Sequence, residues 1–197
     1  IDIVLLKART HINLLQLEFA SILLNKLKSH PALKVKESSE IHYLEGCIFQ
    51  KKEQYDQMFY SLKTCLLKNP MHKSAMEKLW FCVELAKKHK ESLSFHEKLL
   101  DINPYNAHAW FNLGHAYYYL NEYEQAIEAF EFAYTIDEKF EFAYRDCAEV
   151  CMHIQQFEKA LKCYQELSEH IRPDADVLLK MGECYKHKAN YSKARVC

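Results

Sequence analysis

A period of 34 residues constrains this chain more than any other feature. The clearest repeat runs from Ala107 to Phe140, and moving that frame by one period brings like residues to like places. Forward shifts give Glu141 to Asp174, with Tyr144, Cys147, Ala148, Cys151, Phe157, Ala160 and Tyr164 in register. The next repeat starts at Ala175 and carries Leu178, Met181, Gly182, Tyr185, Tyr191 and Ala194. Backward shifts give Lys73 to Asn106 and Ser39 to His72, the latter with Gly46, Phe49, Tyr55, Met58 and Leu62. A first repeat from Ile1 to Lys34 fits through Ala8, Leu17, Ala20, Leu24 and Leu27, which leaves Val35 to Ser38 as a four-residue insertion.

The helix breakers keep to the same ruler. In 197 residues there are three glycines and four prolines, against roughly 7% and 5% in ordinary soluble proteins. Gly46, Gly114 and Gly182 all fall at position 8 of their repeats, where a side chain would obstruct two closely crossing helices. Pro31, Pro70, Pro104 and Pro173 fall at positions 31, 32, 32 and 33, where one helix must stop before the next repeat begins. Between the breakers, apolar residues recur three and four apart, as in Trp110, Leu113 and Tyr117 and then Ala126, Phe130 and Ala133. Each repeat therefore reads as two amphipathic helices. Neither buries its apolar face alone, and stacking successive pairs does. The expectation is an all-α fold, one array over 1–197 with repeats at 1–34, 39–72, 73–106, 107–140, 141–174 and an incomplete 175–197, and a longer parent protein.

Trp110, Leu113, Gly114, Tyr117, Tyr123, Ala126, Phe130 and Ala133 carry the W-x2-L-G-x2-Y, then A-x3-F, pattern by which the chain resembles the tetratricopeptide repeat family. The resemblance covers essentially the whole length and is strongest from Asn103 to Ala194. It implies a right-handed α-solenoid of antiparallel helix pairs whose concave face, lined by the first helix of each pair, holds a peptide or a partner helix. The family's lining positions are 2, 5, 6, 9, 12 and 13. In the fourth repeat these are His108, Phe111, Asn112, His115, Tyr118 and Tyr119, and in the fifth Phe142, Arg145, Asp146, Glu149, Met152 and His153. In the third they include Glu77, Lys78 and Phe81. Aromatic rings beside hydrogen-bonding groups suit such a groove, since apolar anchors supply affinity and polar groups set register. The Lys and Asn clamp with which one subgroup grips acidic chaperone tails is not matched in the frames that begin at the second, third or fourth repeat. The third repeat departs most, with Trp80 at position 8 and His89, Ser92 and His96 in place of an aromatic, Ala and Phe. A looser or differently angled pair is expected there.

Other function classes find little support. The net charge is −1 with Lys and Glu interspersed, so nucleic-acid binding is not expected. No apolar run approaches the roughly 18 to 20 residues that span a bilayer, and no membrane association is expected. The eight cysteines sit at apolar helical positions and read as free thiols. Cys147 and Cys151, one turn apart, are expected in the core. Among eleven histidines, His108 and His115 share a face, and His153 and His187 occupy equivalent positions, but no ligand set for a metal accompanies them. No catalytic residue, metal or cofactor is expected, because GxSxG, P-loop and HExxH patterns are all missing.

The reading is a cytoplasmic scaffold or adaptor that binds proteins or peptides. The alternative is the recognition arm of a larger enzyme or regulator. RNA binding by a helical repeat fits the period but not the charge. The unfinished last pair exposes apolar surface and leaves room for end-to-end self-association.

Overall fold

A computed structural model describes residues 1–195. All regular structure among them is helical, in twelve segments that fall into two compact units, Ile1–Glu91 and Ser92–Cys197. The first unit holds α1 (Asp2–Asn13), α2 (Leu17–Lys28), α3 (Val35–Lys51), α4 (Tyr55–Lys68), α5 (Lys73–Ala86) and the start of α6 (His89–Ile102). The second holds the rest of α6, then α7 (Ala107–Tyr119), α8 (Tyr123–Ile136), α9 (Glu141–His153), α10 (Phe157–His170), α11 (Ala175–His187) and α12 (Tyr191–Ala194). The division falls inside the repeat that carries Trp80 and His96, the one furthest from the pattern.

Helix starts follow the 34-residue ruler. First helices begin at Lys73, Ala107, Glu141 and Ala175, and second helices at Tyr55, His89, Tyr123, Phe157 and Tyr191. The insertion does not form a loop. Residues 35–38 add a first turn to α3, which the Glu37 carboxylate ties down by accepting the Lys34 N–H at 2.7 Å. Four residues are close to one helical turn, so the extension leaves the packing phase downstream undisturbed.

The same turn closes every first helix, and it contains no glycine. Leu15, Glu53, Lys87, Asn121, Gln155 and Ala189, all at position 15, take φ between 53° and 62°. In each case the N–H of position 16 donates back to the carbonyl of position 11, as from Gln156 to Cys151 at 2.7 Å and from Glu122 to Tyr117 at 3.0 Å. The N–H of position 15 donates to position 12 in all six. This paired closure satisfies carbonyls that the helix end leaves open. A left-handed backbone costs a side chain about 1–2 kcal/mol, partly offset by the extra entropy a glycine loses on folding. Gln155→Gly is therefore expected to raise stability by about 0.5 kcal/mol and Gln155→Val to lower it by about 1–2 kcal/mol. Urea unfolding of the two variants beside the parent checks the sign.

Position 8 packs on position 24. A Cβ added to Gly114 would lie 2.6 Å from the Phe130 ring, and one added to Gly46 2.9 Å from the tip of Leu62. Ala8, Leu24, Ala148 and Tyr164, at the same positions of the first and fifth repeats, are all buried. Around this contact the first unit buries Leu5, Ile12, Ile41, Leu44 and Ile48, and the second Ala126, Ala133, Ala143 and Leu167. Cys147 and Cys151 are free thiols in the core with Cys163, whose Sγ lies 3.6 Å from that of Cys147. Hydrogen bonds from its neighbours Cys151 and Cys163, together with burial, push the Cys147 thiol up, which keeps it protonated and unreactive.

Candidate functional site

On α7, the spacing of His115, Tyr118 and Tyr119 puts three side chains on one stripe. On α9, Asp146, Glu149, Met152 and His153 form a second. The two stripes, with Lys180 from α11 and a floor of Phe130 and Val150, enclose an open groove of about 530 Å³ in the second unit. The packing stripe of α9, from Ala143 through Cys147 and Cys151, is turned into the core, so the neighbouring stripe is left to face the opening.

Several of the groove's polar side chains are held by neighbours. His115 Nε2 lies 3.0 Å from Asp146 Oδ2. Its ring meets Phe111 and Phe130 edge to face, at 4.6 and 5.2 Å between centroids, so the imidazole is held in place beside the Asp146 carboxylate. At the other end, Tyr123 donates its hydroxyl proton to Asn121 Oδ1 at 2.8 Å and accepts from His153 Nε2 at 3.3 Å. Tyr118 packs against both rings, 5.9 Å from Tyr123 and 6.2 Å from His153. Tyr119 is more than a third exposed. Two carboxylates, Asp146 and Glu149, face one cation, Lys180. The arrangement offers rings, hydroxyls and fixed negative charge, but no nucleophile paired with a base.

Five of the ten residues expected on the concave face meet here: His115, Tyr118, Tyr119, Asp146 and Glu149. The other five do not. Phe111 is buried against Phe130 and Phe140 and supports the wall from beneath. Asn112 is buried too, its Nδ2 donating to His96 Nε2 at 3.3 Å. His108 packs edge to face on Phe140, at 4.7 Å. Phe142 stands largely in solvent, away from the groove. Arg145 is occupied by Glu141 at 2.6 Å, Asp174 at 2.8 Å and Asp176 at 3.5 Å. Asp174 also caps α11 by accepting the Val177 N–H at 2.9 Å, so Arg145 joins α9 to the start of the next repeat. Met152 and His153, read from the same frame, do line the groove. Lys180 was missed, although it is position 6 of the sixth repeat. Phe130 and Val150 carried no signal beyond core hydrophobicity. In the first unit, Lys78 and Phe81 line a second concavity of about 640 Å³.

The described residues contain no cluster of three or more His, Cys, Asp or Glu able to hold a metal ion. No helix among them is long and apolar enough to cross a membrane.

Comparison with known proteins agrees with this architecture. Residues 107–140 match the tetratricopeptide repeat model. No curated protein matches the chain significantly by sequence. Among solved structures the chain is similar to PilW, described as a widely conserved type IV pilus biogenesis factor. The identity is 19%, over 99% of this chain and 89% of that one, with a TM-score of 0.70. PilF of Pseudomonas aeruginosa is 16% identical over 99% and 87%, also at 0.70. YrrB, described as a TPR protein with an unusual peptide-binding site, is 18% identical over 86% and 85%, at 0.60. Likeness at such identities is likeness of fold. Residues 107–140 are a tetratricopeptide repeat, and the chain is a protein of the tetratricopeptide-repeat fold.

Proposed function

We propose that this chain is a protein-binding module, and that the groove of the second unit holds a short segment of another protein. The observation that carries the reading is the meeting of Tyr118, Tyr119, Met152 and Asp146, with His115 Nε2 3.0 Å from its carboxylate, along one open channel. Rings and a thioether give a ligand side chain apolar contact without fixing its identity. Asp146 and Glu149 select the polar part: a Lys or Arg of the ligand finds two carboxylates on one wall of the groove. Because the His115 and Tyr118 rings are packed in place before binding, these two side chains need little ordering when a segment enters. The groove on a YrrB-like fold is consistent with a peptide ligand, since YrrB is described as having an unusual peptide-binding site.

The test is selection of binders from a random-peptide library on the whole chain, followed by titration of the selected peptides. Enrichment in a basic residue next to an aromatic or aliphatic one is expected. Tyr118→Ala combined with Glu149→Lys should weaken those peptides at least tenfold, about the effect of losing one interface anchor, while the thermal midpoint stays near the parent's. Peptides that bind the double variant as tightly as the parent would remove this groove from consideration.

A further inference from the structure

The division into two units exposes a charge asymmetry that the near-zero total conceals. Residues 1–91 contain 15 Lys and Arg against 10 Asp and Glu, a net charge of +5; residues 92–197 contain 11 against 17, a net charge of −6. The positive unit has its own concavity, and its lining carries Arg9, Lys51 and Lys78 against the single carboxylate of Glu53. These three cations come from three successive first helices, α1, α3 and α5. We propose that the groove of the first unit binds an acidic peptide segment, independently of the groove on the second.

The state of each cation supports this. Lys78 is half-buried, and its ammonium donates to the neutral amide of Gln50 at 2.8 Å. Neither it nor the exposed Lys51 has an ion pair among the described residues. A partly desolvated ammonium held only by an amide gains more from an incoming carboxylate than one already neutralised. Arg9 is held by Glu40, which His72 also contacts at 3.2 Å. The His72 hydrogen bond, with further help from Arg9, keeps the Glu40 carboxyl below the usual range. This arrangement leaves Arg9 over half exposed, pinned at the edge of the groove with donors to spare. Phe81 is also part-exposed, edge-on to Tyr55 at 6.4 Å, and offers an apolar seat between the cations. The matching ligand alternates carboxylates with apolar side chains. Three cations on a short groove are too few to follow a nucleic-acid backbone, which rewards a longer run of phosphate contacts.

Cys47 reports on occupancy, because it is half-buried in this groove while the other described cysteines are fully buried. The experiment titrates the whole chain, by fluorescence anisotropy, with a labelled peptide of alternating glutamate and leucine, a matched lysine and leucine peptide, and an oligouridylate RNA. The acidic peptide should bind at least tenfold tighter than the basic one and lose affinity as salt rises. Lys51→Glu with Lys78→Gln should weaken it at least tenfold, whereas Lys162→Glu, the same kind of charge change on the second unit, should leave it unchanged. Mapped alkylation of Cys47 should slow severalfold when the acidic peptide is present. Equal binding of the two peptides would overturn the proposal, and RNA bound as tightly as the acidic peptide would reassign the groove to nucleic acid. A salt-sensitive dimer in sedimentation that excludes the peptide would reassign it to a second copy of this chain.

Discussion

Gly114→Ala is expected to destabilise the second unit by about 2 kcal/mol, although alanine is the better helix former by about 1 kcal/mol. The added methyl would lie 2.6, 2.7 and 2.9 Å from three atoms of the Phe130 ring. That ring is buried and already packs on Phe111 and His115, so it has no free rotamer to retreat into. Gly46→Ala meets a softer obstacle, the branched tip of Leu62 at 2.9 Å, which a small side-chain rotation relieves. It should be neutral within about 1 kcal/mol, because the helix-propensity gain offsets the displacement. Thermal melts check both: a fall of about 4–8 °C for the first and little change for the second. Equal effects would show that position 8 is not governed by the side chain that faces it.

The second large effect is acid sensitivity centred on His96. Burial pushes this imidazole down to about 4, against a weaker upward pull from the Ser92 carbonyl. The neutral tautomer is specified by its partners: Nδ1–H donates to that carbonyl at 2.8 Å, and Nε2 accepts from Asn112 at 3.3 Å. Protonating Nε2 would set two donors against each other in the core. Between about pH 6.5 and 4 the unfolded chain holds a proton at His96 that the folded chain refuses. The unfolded state then binds more protons, and stability falls as pH falls. The loss is on the order of 3 kcal/mol once pH drops below the folded value. Urea midpoints at pH 7 and pH 5 should already show about 2 kcal/mol of it. His96→Phe, which places the residue type of Phe130 at the equivalent position, should flatten the slope in this window. An unchanged slope would move the sensitivity to another group.

His96 and Asn112 also show how a reading by position fails. In the family's frame Asn112 is a groove residue, and His96 is a departure with no assigned task. In the fold the two share one buried hydrogen bond. Arg145 is a similar case. Its position is that of a ligand contact, yet Glu141, Asp174 and Asp176 converge on it. Position places a side chain on a helix, but which neighbours capture it depends on residues some 30 positions away.

The amino-acid pattern alone was enough for the modules: the helix pairs, their 34-residue spacing, the close crossing at Gly46 and Gly114, and the stripe that contains His115, Tyr118, Tyr119, Asp146 and Glu149. These rest on periodicity, and periodicity is local, set by 3.6 residues per turn and by where a helix can stop. Other features emerged only with the packed chain. They include the absorption of Val35 to Ser38 into α3, the glycine-free left-handed turn at position 15, and the burial of Phe111 and Asn112. The boundary at Glu91 and Ser92, with the opposite charges it separates, belongs with them. Each of these depends on which distant side chains share a space and compete for the same hydrogen bonds, and a linear pattern does not encode that competition.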